Sequence, residues 1–75
     1  METNELAARI RAFRKLKGLT QIELAESLGI SVSIIGSIER GTRKADAKTI
    51  HQIAEVLGIE QEELESSYTR RKGLL

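Results

Sequence analysis

The apolar positions of this 75-residue chain fall into short blocks, and within each block they recur every three or four residues. Leu6, Ile10, Phe13 and Leu16 follow that rhythm and predict a helix from about Asn4 to Lys17, stopped by Gly18. Thr20 with Glu23 three residues on is a capping box, in which each side chain satisfies the other residue's backbone N–H. It opens a second helix carrying Ile22, Leu24, Ala25 and Leu28 and ended by Gly29. Ser31 is a good N-cap for a third helix, running to about Arg40 before Gly41. Asp46 caps a fourth, with Ile50, Ile53, Ala54 and Leu57 ahead of Gly58. A weaker fifth spans roughly Glu60 to Tyr68, where Glu62 and Glu63 suit the positive end of a helix. No proline occurs, and no alternating β-branched run or Asn-Gly or Asp-Gly turn suggests a strand. The expected fold class is all-α, a compact five-helix bundle forming one domain over residues 1–68, with a basic, flexible tail at 69–75. Helices this short are marginal alone, so their stability must come from a shared core.

The stretch Thr20–Gly41 carries the most information. Two short helices are joined by Gly29-Ile30-Ser31. Gly29 can take the left-handed conformation that reverses the chain, and Ile30 anchors the turn beneath both helices. Ala25 is small enough for close approach, and Ile35 and Ile38 face inward. That is a helix-turn-helix, a rigid pair that holds its second helix proud of the body, shaped to lie in a major groove.

Charge complicates this picture. The formal net charge is only +1, which argues slightly against a nucleic-acid binder. Its distribution says more: residues 1–19, 42–48 and 68–75 are basic, whereas residues 49–67 hold five glutamates and no Lys or Arg. DNA binding needs a local basic surface rather than a basic total. Other chemistries find no support. Without cysteine there is no disulfide or thiolate metal site, and the one histidine, His51, is expected at or near the surface. Neither a metal nor a cofactor is expected. A Gly-rich phosphate loop, a nucleophile beside a base and a catalytic carboxylate pair are all missing, so an enzyme is not expected. No apolar run approaches the roughly 20 residues of a membrane span, and the charged N-terminus lacks a Sec-type signal. A soluble, cytoplasmic protein with no membrane partner is the expectation.

The stretches IRAFRKLKGLTQIELAESLGIS, SIERG and IAEVLGI, at these spacings, resemble the phage-repressor/Cro type of helix-turn-helix protein, often called the Xre family. The resemblance runs from about Leu6 to Leu64. It implies a lambda-repressor-like five-helix bundle that binds double-stranded operator DNA, usually as a dimer, with the third helix as recognition helix. It implies a bacterial or phage-encoded transcriptional regulator, a repressor. Arg14 and Glu39 match a structural salt bridge between the first helix and the end of the third. Glu39 lies ~40° from Ile35 on a helical wheel and so points at the body; the alternative is two solvated charges. Gln21 matches a phosphate-contacting glutamine at the start of the second helix, where backbone N–H groups also favour an anion; the alternative is an exposed first-turn glutamine. Arg43 and Lys44 match contacts to the flanking phosphate backbone, with Ser31 and Arg40 as further phosphate contacts; the alternative is a solvated loop.

The base-reading positions depart from the family pattern. Where Gln, Arg, Asn, Ser or Thr are usual, positions 32, 33, 34, 36 and 37 hold Val32, Ser33, Ile34, Gly36 and Ser37. Ser33 and Ser37, opposite Ile35 and Ile38, are the first candidates for base edges, although serine discriminates bases poorly. Val32 suits a thymine methyl; Gly36 suits a close approach to the duplex or, equally, marks a helix that is not a strong reader. Without a long side chain for guanine or adenine, unless Arg40 reaches in, specificity is expected to rest on DNA shape and thymine methyls. Ala45 stands where relatives often have proline, so a looser loop between the third and fourth helices is expected. The competing reading is a protein-interaction module or antitoxin-like protein on the same fold, for which exposed Val32 and Ile34 would serve. Gln21, Arg43 and Lys44 favour DNA, as a module without DNA has no need of them. A homodimer on a palindromic operator would draw on Leu64, Tyr68, Leu74 and Leu75; alternatively Leu64 completes the monomer core. A separate protein antagonist is the remaining partner class.

Overall fold

The computed structural model describes residues 2–65, with side chains from residue 5 onward. It has five helices, α1 (Glu2–Leu16), α2 (Gln21–Leu28), α3 (Val32–Arg40), α4 (Ala47–Leu57) and α5 (Gln61–Glu65), and no strand among the described residues. The fifth helix was expected to reach Tyr68; that position and the tail at 69–75 lie outside the described residues.

The caps sit where the side chains predict. Thr20 Oγ1 accepts from Glu23 N at 3.0 Å, and Glu23 Oε1 accepts from Thr20 N at 2.9 Å. Ser31 Oγ accepts from Ile34 N at 3.2 Å. Asp46 Oδ1 accepts from Thr49 N at 2.8 Å, and hydrogen bonding from Thr49 holds the Asp46 carboxyl below its ordinary range. Gly29 turns the chain with φ 72°, the left-handed region that side chains rarely adopt. Ile30 N then donates to Ala25 O at 3.1 Å, which satisfies a terminal carbonyl of α2.

Two apolar clusters hold the bundle. The larger joins Ile10 of α1, Ile38 of α3, Ala45, four residues of α4 and Leu64 of α5. The smaller joins Leu24, Ala25 and Ile35, with Leu28, Ile30 and Val56 at its edge, and fixes α2 against α3. Each fully buried Ile or Leu contributes about 1.5–3 kcal/mol of burial free energy.

The packing corrects several expectations. Leu16 is 75 % exposed. The inward seam of α1 passes through Ala7, Ile10 and Arg14, and Leu16 lies ~200° round from Arg14. Ile22, counted with the apolar content of α2, is 57 % exposed because it lies opposite Leu24. Ile34 is not an exposed apolar residue of α3; it is half-buried against the larger cluster, next to Ile38 on the wheel. Ala45 is buried in that cluster, and Thr42 N and Arg43 N both donate to Ser37 O, so the α3–α4 connection is pinned at both ends. Leu64 is 1 % exposed and completes this chain's own core, which removes it from a dimer surface. His51 is exposed, with Nε2 3.2 Å from Glu55 Oε2 one turn on along α4.

Candidate nucleic-acid interface

Between α2 and α3 the chain direction turns by 115°. That turn stands α3 across α2 and leaves one side of α3 uncovered. At 100° per residue, Ile34, Ile35, Ile38 and Glu39 share the inward half of α3. Val32, Ser33, Gly36, Ser37 and Arg40 share the outward half. Val32, Ser33 and Arg40 are exposed and Ser37 is half-buried.

Arg14 and Glu39 form the salt bridge expected of them. Nε donates to Oε2 at 2.6 Å and Nη2 to Oε1 at 3.0 Å, and both residues are buried. Arg14 Nη1 also donates to Leu19 O at 2.7 Å, so one guanidinium ties α1 to the end of α3 and to the turn before α2. The hydrogen bond from Arg14 to Glu39 raises the Arg14 pKa above its ordinary value, which keeps the guanidinium charged. No buried side-chain polar atom among the described residues is left without a partner.

Gln21 joins this network. Its Nε2 donates to Glu39 Oε1 at 3.0 Å, which fixes the amide at the first residue of α2. One amide N–H and the carbonyl oxygen of Gln21 remain for another partner. Ser31 spends one lone pair on its cap and keeps its hydroxyl proton to donate. Arg43 and Lys44 are exposed on the α3–α4 connection, whose backbone is held to Ser37. Gln21, at the N-terminal end of α2, lies beside Gly36 and Glu39 of α3; Ser31 caps the N-terminal end of α3, with Arg43 and Lys44 beyond its other end.

Gly36 is buried, although it lies in the outward stripe. A Cβ placed on it would lie 3.2 Å from Arg40 Nη1 and 3.8 Å from Gln21 Oε1. The cover is the Arg40 side chain, folded back along α3 with Nη2 donating to Ser37 Oγ at 3.3 Å.

The model of the helix-turn-helix family HTH_3 matches residues 10–64. The chain belongs to this family. The matched span opens on Ile10 in the core seam of α1 and closes on Leu64 of α5, so it covers the bundle, both apolar clusters and the Arg14–Glu39 pair. YazB of Bacillus subtilis, named an uncharacterized HTH-type transcriptional regulator, is 56 % identical over 64 residues, covering 85 % of this chain and 93 % of its own. The immunity repressor protein of Bacillus phage phi105 is 40 % identical over 52 residues; the match covers 69 % of this chain but 36 % of the repressor. Among solved structures, the restriction-modification controller protein C.AhdI of Aeromonas hydrophila superposes with a TM-score of 0.79 at 37 % identity, covering 83 % of this chain and 94 % of that one.

Two features of this helix-turn-helix were missed from sequence. The Gln21–Glu39 bond joins residues 18 apart, and no local spacing announces it. The Arg40–Gly36 contact had a signal: helical side chains lean toward the N-terminus, so an arginine four residues after a glycine lies over it.

Proposed function

We propose that this helix-turn-helix chain binds double-stranded DNA sequence-specifically as a transcriptional repressor, with α3 seated in the major groove. The observation that carries the reading is the outward side of α3 beside a Gln21 amide anchored to the buried Arg14–Glu39 pair. The backbone N–H groups at the start of α2 and the Gln21 amide receive one phosphate, with Ser31 donating from the first turn of α3. Arg43 and Lys44 take phosphates on the flank, and Arg40 stands at the end of the same helix. Val32, Ser33 and Ser37 face base edges, with Gly36 between them, and DNA shape and thymine methyls supply much of the specificity. A DNA regulator of this kind works in the cytoplasm of a bacterium; no single described helix is long and apolar enough to cross a membrane.

Two copies on a palindromic operator would set their α3 helices about 34 Å apart, one turn of the duplex. With Leu64 committed to the core, a homodimer has to use other surface. The protein-interaction reading is weakened by Ile34, which packs on the core, leaving Val32 as the exposed large apolar residue of α3. Selection from randomised duplexes, with sedimentation of the selected complex, tests the proposal. The expected result is one enriched palindrome carrying two protomers. A folded chain that enriches no sequence would contradict it.

A further inference from the structure

The outward side of α3 has one long polar side chain, Arg40, and the position one turn before it is a glycine. Glycine is the poorest helix former after proline, so its place in the second turn of a nine-residue helix calls for a compensating role. A side chain at position 36 would crowd the Arg40 guanidinium, whose Nη1 lies 3.2 Å from the missing Cβ. Ser37 Oγ accepts from Nη2 at 3.3 Å, and Gln21 Oε1 lies 3.8 Å from the Gly36 Cβ position. Gln21 is itself tied to Glu39, so one side of this slot is fixed by the core. The fork is thereby carried one turn back from the C-terminal end of α3 to the middle of its outward side. That places the charge on the side of α3 offered to base edges, beside Gln21, rather than on the α3–α4 connection with Arg43.

We infer that Arg40 is a specificity-determining residue of this helix-turn-helix, that Gly36 leaves the room in which it lies along α3, and that it selects a guanine. The inference rests on the DNA-binding reading above and replaces a phosphate role for Arg40. Guanine presents O6 and N7 to the major groove, and the two N–H groups of an arginine fork match them. One such guanine in each half-site adds to the thymine-methyl and shape readout of Val32 and the serines.

The test starts from the sequence selected by the full chain. Affinities are measured by fluorescence anisotropy for that duplex and for each single base-pair replacement. The parent and the variants Arg40→Ala, Arg40→Lys and Gly36→Ala are compared. In the parent, replacing one particular guanine should weaken binding roughly 5- to 150-fold. Arg40→Ala should bring discrimination at that base pair to within about twofold and leave the other positions as they were. Arg40→Lys should not restore it, because an ammonium is a point charge without the fork. Gly36→Ala should melt no lower than the parent, since its methyl meets only the far ends of Arg40 and Gln21, and should lower discrimination at the same base pair by less than Arg40→Ala does.

Four outcomes would overturn the inference. One is a selected motif with no guanine. A second is Arg40→Ala weakening every duplex by the same factor, with a shallower salt dependence and an unchanged motif; Arg40 would then be a phosphate contact. A third is Gly36→Ala losing discrimination while Arg40→Ala keeps it; the glycine would then admit the duplex rather than the arginine. Finally, a folded parent that binds no duplex at low salt would remove the DNA-binding reading and this inference with it, an outcome distinct from the others.

Discussion

Replacing Arg14 with methionine keeps an unbranched, flexible side chain and removes three hydrogen bonds at once. Two are to Glu39, at 2.6 and 3.0 Å, and one is to Leu19 O at 2.7 Å. Glu39, 8 % exposed, would be left with the single bond from Gln21. Breaking a buried pair on one side costs about 3–5 kcal/mol, because the remaining charge has lost its partner but not its burial. A chain of 75 residues has a total stability of about 4–11 kcal/mol. Arg14→Met should therefore lower the melting temperature by at least ~12 °C, at ~4–8 °C per kcal/mol for a domain of this size, or unfold the chain outright. Urea unfolding followed by circular dichroism at 222 nm measures the change. A loss under about 1 kcal/mol, the range of exposed ion pairs, would refute the reasoning. The double variant Arg14→Met with Glu39→Leu removes both charges and should regain much of the stability. It also removes the anchor of Gln21, so its DNA affinity should stay below that of the parent although the fold returns.

Other expectations follow from the caps and the core. Thr20→Ala removes the capping box of α2 and should lower stability by about 1 kcal/mol, read in the same melt. Asp46→Asn keeps a capping oxygen and removes the charge. Because Thr49 lowers the Asp46 pKa below its reference value of 3.8, the ionised carboxylate contributes stability that is present above that value and lost as pH falls through the lowered one. The stability difference between parent and variant should persist at neutral pH and close below pH 3.8; a difference unchanged in acid would contradict this. Ile53→Ala, at a fully buried position, should cost about 2–5 kcal/mol, whereas Leu16→Ser should stay within about 0.5 kcal/mol of the parent.

The helices and their ends were legible because they rest on local chemistry. Thr20, Ser31 and Asp46 bond to backbone three residues on, and Gly29 turns the chain within its own residue, so the sequence carries each signal at short range. The α2–α3 pair was legible for the same reason, since Ala25, Ile30 and Ile35 mark the contact. What short-range pattern could not decide was the use of surface in three dimensions. Leu16 reads as core by spacing, but the buried Arg14 takes the inward direction and turns Leu16 outward. Ala45 reads as a missing proline in a loose loop, but the loop is held by hydrogen bonds to Ser37 O and Ala45 fills the core. Gln21 matched a phosphate-contacting glutamine, yet its tie to Glu39 depends on α2 and α3 already being packed. The expected end of the fifth helix at Tyr68, and the tail with Leu74 and Leu75, lie outside the described residues.

In the proposed complex Gln21 and the basic α3–α4 connection clamp phosphates while α3 lies in the groove. The most direct measurement is the salt dependence of binding to the selected duplex, by fluorescence anisotropy, for the parent, Gln21→Ala and Arg43→Ala. Arg43 releases counterions and Gln21 does not, so Arg43→Ala should weaken binding and lower the slope of log K against log salt by about 0.9 for each protomer bound. Gln21→Ala should weaken binding at every salt concentration and leave the slope unchanged. Both variants binding as tightly as the parent, with the same slope, would contradict the account.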